Sequence, residues 1–174
     1  MTVIRPVRLD DAEALADLVR TDRAFLAPWE PARDDDFFTV EGQRAVLAQQ
    51  LVEHRQGVTV PYVVLGPAGA VAGRITLSRI VRGAFWSAGL GYWVSEAAGG
   101  RGLATAAVGE LKRVAFEELG LHRIEAGTLL HNVRSQRVLE RKGFERYGTA
   151  PAYLRIAGRW QDHALFQVVT PDWG

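Results

Sequence analysis

The amino-acid sequence predicts one α/β domain over residues 1–174, of the α+β kind, with a mixed, twisted sheet of about seven strands and about four helices packed on it. Three observations lead to this fold class. A chain of 174 residues falls in the size range of a single domain. Alternating segments follow one another early in the chain, which is typical of antiparallel hairpins. A strand–helix–strand order in the middle indicates a crossover between parallel strands.

The predicted strands are alternating segments or short apolar runs bounded by turn residues. The stretch Gly66–Pro67–Ala68–Gly69 is the predicted turn between the second and third strands. A tight turn at Ala157–Gly158 closes the C-terminal pair. The segments predicted to form strands cover residues 3–9, 61–66, 70–81, 85–94, 122–130, 144–150, 153–156 and 158–169.

Capping signals mark the predicted helices. Asp10, with Glu13 three residues later, resembles a capping box at the start of the first helix. Thr39 is the expected cap of the second helix, and Gly57 lies past its end. Between them, the proline-containing and acidic stretch 25–38 is predicted to be a loop. The other two helices are predicted over residues 102–118 and 135–142, each followed by a glycine.

Composition narrows the classes of function. The formal net charge is +1, so we expect no direct binding of nucleic acid. The chain has no cysteine, which excludes disulfides, thiolate metal sites and a cysteine nucleophile. The N-terminal MTVIRPVRLDD lacks the apolar core of a signal peptide, and no apolar run approaches the roughly 18 residues of a membrane span. We therefore expect a cytoplasmic protein with neither a metal nor a membrane partner.

The stretch GGRGLATAAV, residues 99–108, has the composition of an anion site. It follows a predicted strand and begins a predicted helix, whose first amides have no partner within the helix. The three glycines permit close approach of a phosphate, Arg101 adds a cation, and Thr105 adds a hydroxyl donor. The alternative is that the glycines only turn the chain. The spacing matches neither a nucleoside-triphosphate P-loop nor a dinucleotide-binding fingerprint.

The run GYWVSEAAGGRGLATAAV resembles motif A of the GNAT acyl-CoA N-acyltransferases, whose signature is Arg/Gln-x-x-Gly-x-Gly/Ala. Gly99 stands where the family has Arg or Gln, Gly102 takes the central glycine, and Ala104 takes the last place. The run NVRSQRVLERKGF, residues 132–144, resembles motif B of the same family. The stretches FLAPWEPARDDD, VRGAFWSAGLGYWV and YLRIAGRWQDHALFQVVTPDW resemble the RimJ-type ribosomal-protein-alanine N-acetyltransferases, so the resemblance covers nearly the whole chain.

This resemblance implies the GNAT fold, with the fourth and fifth strands splayed and the pantetheine of acetyl-CoA between them. Gly89 and Gly91 are the expected places for a bulge in the fourth strand. The glycine loop is expected to hold the pyrophosphate, and one amide of the fourth strand to polarise the thioester carbonyl. The residues expected to bind acetyl-CoA are Tyr92, Trp93, Val94, Gly99, Gly100, Arg101, Gly102, Leu103, Ala104, Thr105, Asn132 and Ser135.

Ser135 is the candidate acid. It lies in the stretch that matches motif B, where the resemblance places it near the sulfur and Asn132 near an amide of the cofactor. Many family members have a tyrosine acid four residues later, but this chain has Leu139 there. The RimJ-like subgroup uses the serine instead. A cap of the short helix is the structural alternative for Ser135, and both roles are compatible.

The general base is open at this level. RimJ-like and RimL-like relatives carry a carboxylate just before the tyrosine that matches Tyr153, but this chain has Ala152 there. Tyr153 is expected to bind or orient the amine. For Glu125, a structural charge at the start of a strand is as good an interpretation as a general base. The candidate bases, besides an ordered water chain, are Glu30, Glu125, His131 and His163.

The resemblance places the acceptor-binding loop at PWEPARDDD, with Trp29 and Glu30 as expected substrate contacts. Acidic groups there favour a cationic N-terminus or a basic ribosomal segment. A solvated polar loop is the alternative for the three aspartates that follow, residues 34–36. A second cluster, on the predicted helix 135–142 and just before it, is basic. We interpret it as a solvated helix face, and a contact with the 3′-phosphate of the cofactor is the alternative. It comprises Arg134, Arg137, Arg141 and Lys142.

The sequence thus predicts transfer of an acetyl group from acetyl-CoA to the N-terminal α-amine of a protein, by direct attack in a ternary complex. The resemblance implies the N-terminal alanine of a small-subunit ribosomal protein as acceptor, and a monomer or homodimer. One alternative is an acyltransferase, acetyl or succinyl, for a small amine, an antibiotic or a lysine. Another is an acyl-CoA-binding ribosome-assembly factor that catalyses weakly.

Overall fold

The computed structural model describes residues 2–170, which contain one seven-stranded sheet in the order β1-β2-β3-β4-β5-β7-β6. The strands are β1 (Ile4–Pro6), β2 (Val60–Leu65), β3 (Val71–Val81), β4 (Ser87–Val94), β5 (Arg123–Leu129), β6 (Glu145–Ile156) and β7 (Arg159–Val169). The helices are α1 (Ala12–Thr21), α2 (Arg23–Leu26), α3 (Val40–Arg55), α4 (Leu103–Arg113) and α5 (Val133–Arg141). The predicted mixed sheet and its helices are confirmed.

Helices cover both faces of the sheet. On one face, Leu15 of α1 and Leu47 of α3 are fully buried against β2. On the other face, Leu111 of α4 and Leu139 of α5 are fully buried in the larger apolar cluster. Each such side chain contributes about 1.5–3 kcal/mol by leaving water. The sheet is therefore the middle of three layers, and a ligand can reach it from either side only where the helices leave a gap.

The sheet itself opens between β4 and β5, because these two strands diverge and form a fork. These two strands pair in parallel only from Ser87–Gly89 to Arg123–Glu125. Beyond that point β4 remains paired with β3 as far as Val94, and β5 remains paired with β7 as far as Leu129. The facing edges of the two arms are thus not bonded to each other. The predicted splay is confirmed.

The expected bulge at Gly89 or Gly91 is wrong. Both glycines sit in the regular register with β3, and the irregularity lies on β3 itself, between Ser78 and Val81, where Arg79 has φ of 51°. A Cβ at Gly89 would stand 2.8 Å from Nη2 of Arg79, which is the end of a flexible side chain and can move aside.

Local predictions near the N-terminus need two corrections. Helix α1 begins at Ala12, and the carboxylate at its start is that of Asp11, not Asp10; it accepts from the Arg8 amide at 2.7 Å and from Arg5. The predicted loop 25–38 begins with the last residues of α2 and ends in a 3-10 turn, Asp35–Phe38. The extra helix forms because Leu26 is buried, a tertiary effect.

Other signals are confirmed. The Thr39 hydroxyl accepts from the Gly42 amide at 3.0 Å and so caps α3. The turn near Gly66 joins an antiparallel pair, β2 and β3. The last two strands also form an antiparallel pair, although β6 is continuous across Ala152, where φ is 44° and the register with β7 shifts.

Candidate active site

The glycine loop ends at the first turn of α4. Gly100 and Gly102 have φ values of 75° and 76°, in the left-handed region that favours glycine. Gly102 is the residue that precedes the helix, and its carbonyl accepts the Ala106 amide at 2.9 Å. The first amides of α4 have no partner within the helix and lie at the positive end of the helix dipole.

A cavity of about 520 Å³ lies beside this loop. The expected cofactor-binding residues on its wall are Val94, Gly99, Gly100, Gly102, Leu103, Ala104 and Thr105. Arg101, the expected extra cation of the loop, is exposed and does not line the cavity. The loop is held in place from outside, because the buried carboxylate of Asp22 accepts the Glu96 amide at 3.0 Å.

Three arginines of α5 supply the positive charge instead. Arg134, Arg137 and Arg141 all line the cavity. Their spacing of three and four residues puts them on one stripe of the helix. All three side chains are exposed, in keeping with a solvated helix face, and their place on the cavity wall also suits the alternative, a contact with a phosphate of the cofactor. Lys142 lies apart from the cavity, with its carbonyl accepting from Lys112 at 3.0 Å.

Ser135 lies at the tip of the fork. Its Oγ is 2.8 Å from the Tyr92 hydroxyl, which also donates to the Ser135 carbonyl at 3.3 Å. Burial raises the pKa of the Tyr92 phenol to about 12, and the hydrogen bond with Ser135 opposes part of that rise. The expected capping role of Ser135 is wrong: Asn132 is the cap of α5, and its Oδ1 accepts the Ser135 amide at 3.2 Å.

The opposite side of the fork is covered by the loop that contains Trp29 and Glu30. The Trp29 ring lies 5.4 Å from the ring of His131, which follows β5. Burial raises the pKa of the Glu30 carboxyl, and the positive charges of Arg33 and Arg74 oppose that shift. Arg74 pairs across the sheet with Trp93 of β4. The loop therefore spans from one arm of the fork to the other.

The C-terminal hairpin completes this side. The backbone carbonyl of Glu30 accepts the Ala157 amide at 2.9 Å, which ties the tip of the hairpin to the loop. The Tyr153 ring lies 5.5 Å from the ring of His163. His163 is buried, with Nδ1 at 2.9 Å from the Gln161 carbonyl. Its position fits a packed side chain that supports Tyr153.

Glu125 and Ala152 lie at the edges of this region. Glu125 is the last β5 residue paired with β4, and its Oε1 accepts from the Tyr147 hydroxyl at 3.4 Å. It also lies 3.9 Å from Arg123, so it has structural partners. The backbone amide of Ala152 donates to Asp162 Oδ1 at 2.8 Å. The carboxylate of Asp162 thus lies beside residue 152, whose own side chain carries no carboxylate.

The two faces of the fork differ in chemistry. Successive residues of a strand point to opposite faces, and accordingly Tyr92 packs with the cluster under α4 while Trp93 packs with the cluster under α3. The α4 face offers unpaired amides and three guanidinium groups, which suit phosphates. The α3 face offers aromatic rings and the half-buried carboxyl of Glu30. A donor and an acceptor that enter from opposite faces would meet between the arms.

This arrangement is that of an acyl-CoA N-acyltransferase, and comparison with known proteins gives the family. A family profile described as Acetyltransferase (GNAT) domain matches residues 2–145. The chain belongs to this GNAT acetyltransferase family, and it is an acyl-CoA-dependent N-acetyltransferase. In residues 2–170, none of the helices has the length and apolar character that crossing a membrane requires.

Individual relatives are similar over most of their length. The ribosomal protein uS5-alanine N-acetyltransferase of Escherichia coli is 38% identical over 172 residues, which are 98% of this chain and 89% of the relative. The ribosomal-protein-S5-alanine acetyltransferase of Vibrio fischeri is 33% identical, with a TM-score of 0.92 over 98% of this chain and 94% of that one. RimJ of Mycobacterium smegmatis, solved in complex with CoA-disulfide, is 34% identical, with a TM-score of 0.92 over 95% of this chain and 80% of that one.

Proposed function

We propose that the protein, acting as one catalytic domain over residues 1–174, transfers an acetyl group from acetyl-CoA to the N-terminal alanine of a small-subunit ribosomal protein. The observation that carries the proposal is the fork, with a cavity lined by the glycine loop and three arginines on one face and an aromatic, acidic loop on the other. The relatives from Escherichia coli and Vibrio fischeri, both named for alanine acetylation on a ribosomal protein, support the acceptor. Such a substrate implies a cytoplasmic enzyme.

The cavity suits acetyl-CoA. The amides at the start of α4 and the left-handed glycines beside them match a pyrophosphate, which needs close approach and hydrogen-bond donors. The stripe of Arg134, Arg137 and Arg141 matches further phosphate charge, such as the 3′-phosphate. The free edge of β4 at Tyr92–Val94 matches the amides of pantetheine, in the manner of an added strand.

Transfer is direct, within a ternary complex, because the chain has no cysteine to carry the acyl group. The amine nitrogen forms a bond to the thioester carbonyl carbon, and the bond from that carbon to sulfur then breaks. An amide of the β4 arm stabilises the intermediate oxyanion. The amine proton passes to a base, and the Ser135 hydroxyl supplies a proton to the departing thiolate.

Glu30 is the proposed base, directly or through water. The pKa of an α-amine is about 7.7–8.0, so a substantial fraction is neutral near pH 7 and a weak base suffices. Burial raises the pKa of Glu30, which brings the carboxyl closer to the amine in proton affinity. Trp29 and Tyr153 flank the same face and provide surfaces for the first residues of the acceptor peptide.

Release of free thiol from acetyl-CoA tests this function. The acceptors are a peptide that begins with alanine and contains an internal lysine, and the same peptide with its N-terminus blocked. We expect thiol release with the free peptide alone, and mass spectrometry should locate the acetyl group on the α-amine. Acetyl on the lysine, or no transfer while calorimetry detects bound acetyl-CoA, would contradict the proposed acceptor.

A further inference from the structure

The side chain of Tyr92 has no role in the mechanism above, which uses only the backbone of the β4 arm. Its hydroxyl lies 2.8 Å from Ser135 Oγ, although the two residues are 43 positions apart. Tyr92 packs with the cluster under α4, the same face as the glycine loop and the cavity. The contact therefore joins the β4 arm of the fork to the first turn of α5.

We propose that Tyr92 is a positioning residue that holds the Ser135 hydroxyl toward the sulfur of the acyl donor. This inference rests on the proposed function and deepens it, because it names what makes a serine an effective acid in a site where Leu139 takes the place of a tyrosine.

The geometry gives the Tyr92 proton two acceptors, the Ser135 carbonyl at 3.3 Å and Ser135 Oγ at 2.8 Å. When the phenol donates to Oγ, the serine proton is released from that contact and can point to the sulfur. Donation to Oγ also withdraws electron density from it and makes the hydroxyl a better donor. The Asn132 cap fixes the backbone of Ser135 at the same time.

The proton balance requires one net proton from solvent. As the carbon–sulfur bond breaks, the electron pair stays on sulfur and the Ser135 proton moves to it while solvent delivers a proton to Oγ. No serine alkoxide forms, because an alkoxide is more basic than the phenol beside it, and Tyr92 keeps its proton and its hydrogen bond to Oγ. Burial raises the pKa of Tyr92 to about 12, so the phenol stays protonated throughout the neutral pH range.

The test uses Tyr92→Phe, Ser135→Ala, the double variant and a matched control, Tyr62→Phe. Tyr62 is a suitable control because Tyr62, Ile75 and Tyr92 form one row across β2, β3 and β4, and Tyr62 packs with the same cluster. With alanine peptide as acceptor, Tyr92→Phe should lower kcat about tenfold with KM for acetyl-CoA nearly unchanged, as expected for one lost hydrogen bond at a reacting group. The double variant should match Ser135→Ala.

A second readout needs no acceptor. The pKa of the thiol of bound CoA can be measured from thiolate absorbance against pH, with desulfo-CoA as blank. A hydroxyl that donates to sulfur stabilises the thiolate, so Tyr92→Phe and Ser135→Ala should raise that thiol pKa while Tyr62→Phe leaves it unchanged. This measurement separates the two proposals, since it can succeed even if no α-amine is acetylated.

Three outcomes overturn the inference. One is an unchanged kcat and thiol pKa in Tyr92→Phe. Another is a double variant whose losses are the full product of the single losses, because Tyr92 would then act independently of Ser135. The third is a failure of CoA to bind, which removes the donor from the site and overturns the proposed function as well.

Discussion

Replacement of Gly102 by alanine is the sharpest test of the glycine loop. Gly102 has φ of 76° and precedes the first turn of α4, and no atom of the described chain beyond its neighbours lies within 4 Å of the position a Cβ would take. The substitution therefore creates no steric clash within the protein. Its effects come from backbone strain and from a methyl group placed beside the cavity.

Two magnitudes follow. An L-residue held in the left-handed region costs about 1–2 kcal/mol, so the free energy of unfolding should fall by that amount. A hydrogen bond to a charged group contributes about 1.5–3 kcal/mol, so loss of one amide–phosphate bond should raise the Kd for acetyl-CoA roughly ten- to 150-fold.

Gly57→Ala is the matched control for this experiment. Gly57 follows α3, has φ of 74°, and also has open space around its Cβ position, but it does not line the cavity. Denaturant unfolding should show a similar loss in both variants, while calorimetry with acetyl-CoA should show weaker binding in Gly102→Ala alone. Equal affinity in the two variants would refute the assignment of the loop to phosphate binding.

Two further predictions concern charge. Because burial raises the pKa of Glu30, the kcat/KM profile should have an acidic limb with its midpoint above the ordinary value of 4.5, and Glu30→Gln should remove that limb. Because the pKa of Glu30 is raised in the folded protein, the free energy of unfolding should fall as the pH rises through that pKa. Unfolding curves of Glu30→Gln should lack this decline. An unchanged profile of kcat/KM against pH in Glu30→Gln would exclude Glu30 as the base. Arg137→Ala should weaken acetyl-CoA binding about tenfold and reduce its salt dependence, whereas Arg155→Ala, on the exposed hairpin, should change neither. Equal effects from the two arginine variants would exclude a specific contact in the cavity.

Sequence patterns predicted most of the fold because the signals are local. The cap at Thr39, the turn near Gly66 and the glycine loop before α4 depend on residues a few positions apart. The short helix α2 was missed because burial of Leu26, not local propensity, stabilises it. The bulge was assigned to the wrong strand because the residue with positive φ is Arg79 of β3, and an arginine gives no local signal for a bulge.

The candidate site was predictable in part. The glycine loop and Ser135 were identified from their stretches of sequence, but the cap of α5 turned out to be Asn132, because the helix begins earlier than its pattern indicated. The position of Arg137 and its neighbours beside the cavity was open on sequence grounds, since a basic stripe on a helix is equally typical of a solvated surface.

The sequence by itself determined the order of most strands and helices, the position of the glycine loop and the absence of a covalent cysteine route. Only the tertiary structure decided which distant groups meet: Tyr92 with Ser135 on one face of the fork, and Trp29 with His131 on the other. These contacts join residues far apart in the sequence, so they depend on the order in which the strands pair in the sheet. No local propensity encodes that choice, because it is made by the packing of helices against both faces of the sheet.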